Sequence, residues 1–100
     1  MRQWARPFCY MRSGLTPIAS VPLRSRAWVE GVVTATACRV IGSGPAFECV
    51  LEDRSGEVVL VFLGRREISG IERGRRLAAG GTFASREGRL EVLNPLYDLL

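Results

Sequence analysis

Histidine and lysine are both absent from the chain. Without histidine it lacks the side chain that most often moves protons near neutral pH, and a common metal ligand. Cysteine is scarce: Cys9, Cys38 and Cys49 lie far apart, and no two are spaced C-x-x-C. Structural zinc takes about four thiolate or imidazole ligands, so neither a metal nor a cofactor is expected. An odd, dispersed cysteine set also gives no disulfide framework. The only aspartates are Asp53 and Asp98. Glu48 and Glu52 share a strand face but have no partnering nucleophile or third ligand, so the chain reads as a non-enzyme. Long apolar runs are missing too, and none approaches the roughly 18–20 residues that span a bilayer. The basic start MRQWARPFCYMRSG has no continuous apolar stretch behind it and is not a secretory signal. A cytoplasmic protein without a membrane partner is expected.

What is present is one domain's worth of sequence, 100 residues of which 47% are apolar. Every one of its 14 basic residues is arginine, and the net charge is +4. Arginine grips phosphate bidentately and stacks on bases, but GC-rich coding gives the same bias. The charge is also uneven. Arg2, Arg6 and Arg12 stand in residues 1–19 with no acid beside them, so the remainder is close to neutral. Any affinity for nucleic acid must therefore come from a local patch.

Residues 1–19 read as a basic, flexible arm. Pro7, Gly14 and Pro17 interrupt any long helix, and Trp4, Phe8 and Tyr10 follow no period. Met11 is an alternative natural start. Residues 20–100 read as the folded domain. The tract RAWVEGVVTATACRV predicts a long first strand, bent or bulged at Gly31, that pairs on both sides. Gly42-Ser43-Gly44-Pro45 is a loop by composition. Phe47, Cys49 and Leu51 alternate along a second strand, and Asp53-Arg54-Ser55-Gly56 turns it into a third. That third strand is apolar on both faces: Val58, Leu60 and Phe62 against Val59, Val61 and Leu63. It must be covered twice or shared with a partner. Ile68 and Ile71, three apart, suit one helical turn plugging the end of a barrel. A second hairpin turns at Ser85-Arg86-Glu87-Gly88, and Asn94-Pro95 ends the fifth and last strand. Hairpins in series without a βαβ rhythm predict an all-β, five-stranded barrel with at most one short helical turn between strands three and four.

The string LEDRSGEVVLVFLGRREISGIERGRRL, followed by G-x-L-x-V-x-N-P-x-Y, resembles the small OB-fold nucleic-acid-binding proteins of actinobacteria. More distantly it is similar to the wedge OB domain of the RecG helicase. The D-R-S-G hairpin is shared with anticodon-binding OB domains of aminoacyl-tRNA synthetases, and Thr16-Pro17-Ile18-Ala19 fits the actinobacterial lead-in. The likeness covers about residues 16–97 and departs at the N-terminus, where the family has an acidic helical lead-in. It implies a Greek-key OB fold and single-stranded DNA or RNA as partner.

OB folds bind single strands over strands two and three, between the loops that join strands one to two and four to five. Those loops supply Arg39 and Arg86. Phe47, Phe62 and Arg54 lie on or near the strands, Arg65 and Arg66 follow the third, and Arg89 follows the second hairpin. These eight residues are the candidate nucleic-acid-binding set. Each also has a plain structural role open to it. Phe62 is in phase with Val58 and Leu60, as a core residue would be; Arg65 and Arg66 have Glu67 and Glu72 nearby. Trp28 and Tyr97 read as packing residues. Glu48 and Glu52 would repel phosphate on their face, which leaves open a protein-interaction module, or self-association, with no nucleic-acid role.

Overall fold

The computed structural model describes residues 14–100. The arm expected over residues 1–19, with its aromatic residues, Cys9 and the alternative start at Met11, falls largely outside the described residues. Its last part does not behave as an arm. Thr16 donates its backbone N–H to the Trp28 carbonyl. A single 3-10 turn, Ile18–Ser20, then buries Ile18 in the core at 1% exposure. The folded unit therefore begins before residue 20.

Six strands follow: β1 (Arg26–Ile41), β2 (Gly44–Glu52), β3 (Glu57–Leu63), β4 (Arg76–Arg86), β5 (Arg89–Leu93) and β6 (Leu96–Leu99). The sheet order is β1-β2-β3-β5-β4-β6, and β1 also pairs with β4. The pairings thus run from β1 through β2, β3, β5 and β4 back to β1. All are antiparallel except β3 with β5. The two-sided pairing expected of the first strand is present: residues 26–32 of β1 face β4, and residues 32–41 face β2. The change of partner falls beside Gly31, whose missing side chain lets the Glu52 carbonyl close in. A Cβ there would lie 2.4 Å from that oxygen. The irregularity in register is not at Gly31 but between Val33 and Ala35.

Alternation sorts each strand into two faces. Val29, Val33, Leu51, Val58, Leu60, Phe83 and Val92 point inward and are fully buried. Each contributes about 1.5–3 kcal/mol by leaving water. Ile68 and Ile71 join the same core, as the expected plug, although the connection they sit in is a turn closed by Ile71 N–H on the Ile68 carbonyl, not a helix. The short helical piece is instead the one at Ile18.

The hairpin ends are tighter than their composition implies. The first loop shrinks to Gly42-Ser43, because Ile41 already pairs with Gly44. The second is Glu87-Gly88, both at positive φ (53° and 80°), the two-residue turn whose twist suits a hairpin. Asn94-Pro95 ends β5 but does not end the sheet. Asn94 takes a left-handed φ of 47° and its Oδ1 accepts the Leu63 N–H, which finishes the edge of β3. The chain then returns as β6 along β4.

The D-R-S-G turn does more than reverse the chain. One carboxylate oxygen of Asp53 accepts the N–H groups of Ser55 and Gly56 and the Ser55 hydroxyl; the other accepts the Ile18 N–H at 2.9 Å. The Ser55 hydroxyl accepts the Ala19 N–H. The turn therefore clamps the lead-in and seats Ile18. Burial pushes the Asp53 carboxyl up, but the hydrogen bonds from Ile18, Ser55 and Gly56 outweigh it and hold the group below its ordinary value.

Candidate functional site

The outer face of β2, β3 and β5 is built by register. Across it run the rows Ala35–Val50–Val59–Glu91 and Ala37–Glu48–Val61–Leu93, then Arg39–Ala46–Leu63. The β1–β2 hairpin rises at one side and the β4–β5 hairpin at the other. Between them is a depression of about 220 Å³ lined by Arg39 and Ile41 from the first, Arg86, Glu87 and Arg89 from the second, and Glu48, Val61 and Glu91 on the floor. Beside it a further hollow reaches Val50, Val59 and Glu57 and shares Glu48 and Arg89. Three of the expected residues, Arg39, Arg86 and Arg89, thus meet in one place.

The floor answers them with carboxylates. Arg39 lies 3.3 Å from Glu48, and Arg86 lies 3.9 Å from Glu91. Both glutamate side chains are only 12% exposed, while the arginines are more than half exposed. Three cations and three carboxylates (Glu48, Glu87, Glu91) therefore share the cleft. Arg39 is not in a loop, as expected, but in β1 opposite Ala46.

Phe47 and Phe62 are placed elsewhere, and the expectation that they offer stacking faces is corrected. They pair across β2 and β3 on the inner side, at 6% and 5% exposure, with ring centroids 6.3 Å apart. Tyr97 packs edge-on against Phe62 at 5.7 Å. The phase that carries Cys49 and Leu60 into the core carries these rings with them. Arg54 sits in the β2–β3 turn and lines a different hollow, beside Thr16, Pro17 and Asp53. Arg65 and Arg66 are exposed on the β3–β4 connection and do not line the cleft. Trp28 packs over Gly80, where a Cβ would collide with the indole.

The outer face of β3 is covered by the chain itself. Val59 and Val61 are buried with Ala46 against Ile41 and Val50, so this strand does not need a partner to hide its second face. Glu91 was not anticipated as a site residue. Its signal was present in the alternation of Leu90 and Val92, which puts Glu91 on the opposite, outer side. Glu52 shares the face of Glu48, as expected, but lies at the far end of β2 opposite Glu57. Cys49 is buried, and burial pushes its thiol up to about 12, so it stays protonated and unreactive at neutral pH. Among the described residues no group of three or more metal-ligating side chains gathers, and no helix is long and apolar enough to cross a membrane.

Comparison with solved structures places the fold. The chain is similar to the solution structure of a replication factor A related protein from Methanobacterium thermoautotrophicum, with a TM-score of 0.70 and 16% identity over 86% of this chain and 90% of that one. It is also similar to the OB domain of a protein from Thermoplasma acidophilum, with a TM-score of 0.68 and 15% identity over 86% of each chain. At such identity the likeness shows an OB fold and no more. Both matches are archaeal, and the narrower likeness to actinobacterial proteins and the RecG wedge rests on the motifs alone. No protein-family profile matches the chain, and no curated protein matches it in sequence.

Proposed function

We infer that β1 to β5 close as a Greek-key OB barrel, with β6 added along β4, and that the protein binds single-stranded DNA or RNA in the cleft between its two hairpins, as a cytoplasmic binding module and not an enzyme. The observation that carries this reading is the convergence of Arg39, Arg86 and Arg89 on the face that OB folds use for single strands. Arginine binds phosphate oxygens bidentately, and the rim places these cations where a backbone would run along the cleft. The buried phenylalanines contribute no stacking here, so affinity is modest and electrostatic.

Fluorescence anisotropy with labelled single-stranded DNA, single-stranded RNA and duplex DNA at several salt concentrations tests this. Single strands are expected to bind, with a log–log salt slope of about 2 for three phosphate contacts. The double variant Arg39→Ala/Arg89→Ala is expected to reduce both affinity and slope. A slope near zero would contradict the mechanism.

A second reading has its own support. Leu63, Leu93 and Leu96 are 42%, 51% and 61% exposed, and the cleft's charges balance. A protein-binding OB module without nucleic-acid affinity would show both features. Failure of all three nucleic acids to bind a folded protein would favour it.

A further inference from the structure

We propose that Glu48 and Glu91 make the cleft selective for bases that carry an exocyclic amino group, so that cytosine, adenine and guanine are accepted and thymine and uracil are disfavoured. This rests on the single-strand reading above and names the part of the strand that the floor recognises.

The argument starts from placement. Both carboxylates lie on the floor, largely shielded from water, while the arginines form the rim. A phosphate cannot approach a shielded carboxylate without severe repulsion, so the backbone keeps to the rim and the bases turn inward. The apolar part of the cleft is Ile41, Val61, Leu63 and Leu93, and Val50 and Val59 line the hollow beside it. An ionised carboxylate only accepts hydrogen bonds, and a guanidinium only donates. Each Arg–Glu pair, Arg39 with Glu48 and Arg86 with Glu91, therefore presents acceptors beside donors.

Three bases match that pattern. Cytosine offers its N4 amino group next to the N3 and O2 acceptors. Adenine offers N6 next to N1. Guanine offers N1–H and N2–H next to O6. Thymine and uracil also set a donor beside acceptors, but their single N3–H lies between two carbonyl oxygens, so a carboxylate that accepts from it faces lone pairs on both sides, only one of which the arginine can meet. Glu48 is opposite Val61 and Glu91 is opposite Val59. The two carboxylates thus flank β3, with backbones roughly 12 Å apart by strand spacing and rise, as two separate reading positions.

The test compares labelled oligo-dC and oligo-dT of equal length in slightly alkaline buffer, where oligo-dC stays unpaired. These pyrimidines differ chiefly in the edge the floor would read. The intact protein is expected to bind oligo-dC about tenfold more tightly, the scale of one good base contact. The double variant Glu48→Gln/Glu91→Gln, checked for folding by circular dichroism, should bring the two oligomers to within about twofold, and each single variant should lower the preference part-way. They should also raise overall affinity and steepen the salt dependence, because each frees an arginine for phosphate. A structural role for the glutamates would not produce that pairing of lost preference with gained affinity. Equal binding of oligo-dC and oligo-dT by the intact protein, with salt sensitivity retained, overturns the inference and leaves the single-strand reading standing. So does a preference that survives both substitutions. Absence of binding to both oligomers and to a mixed-base strand removes the single-strand reading and the inference together.

Discussion

Asp53 shows how much one side chain carries. Its carboxylate holds the β2–β3 turn and the backbone at Ile18, 35 residues away in sequence. Asp53→Asn keeps one acceptor but turns a donor toward the Ile18 N–H. The expected loss is about 1–3 kcal/mol, the scale of leaving such a group unsatisfied, read as a lower urea midpoint. The pH dependence follows from the lowered pKa. A carboxyl with a lower pKa folded than unfolded contributes stability above its unfolded value, near 3.9. That contribution drains away as pH falls through the folded value. The intact protein should therefore lose stability more steeply below about pH 4 than Asp53→Asn does, when urea midpoints are followed across that range. The sequence made the turn legible because Asp and Gly stand where a turn wants them. It hid the clamp, because nothing local connects Asp53 and Ser55 to residues 18 and 19.

Among the elements, β1 was readable from its composition. A long Val- and Thr-rich run with an internal glycine has few ways to fold, and two-sided pairing is one of them. Gly31 is required for a reason beyond flexibility: the Glu52 backbone occupies the space a side chain would take. Gly31→Ala must push β2 away at the point where β1 changes partner. A cost of about 1–3 kcal/mol is expected, as for other overpacked sites, measured as a fall in thermal midpoint. The hairpin tips and β6 were less readable. The tight turns at Gly42-Ser43 and Glu87-Gly88 depend on positive φ at Gly42, Glu87 and Gly88, which composition marks only loosely. β6 is four residues long, and Pro95, which cannot donate to a ladder, stands just before it. That pattern signals an end, whereas here it is the corner between two strands.

For the whole molecule, the site was half legible. Hairpin arginines at Arg39, Arg86 and Arg89 followed from strand order, and the register then brought them to one cleft. The phenylalanines were harder, because a doubly apolar strand does not say which face is inside. Packing decided it: the larger rings went to the core and the smaller Val59 and Val61 to the outer face. Neither charge nor aromatic content of the chain as a whole marks a nucleic-acid surface. The proposed surface rests instead on the arrangement of cations around a concave floor.

The most direct test of that arrangement is amide chemical-shift mapping by NMR during titration with a mixed-base single strand. The account predicts shifts that saturate together and cluster on residues 39–50, 59–63 and 86–93, the hairpins and floor of the cleft. Shifts confined to the surface around Trp28 and Leu96, or no shifts at all from a folded protein, would contradict it.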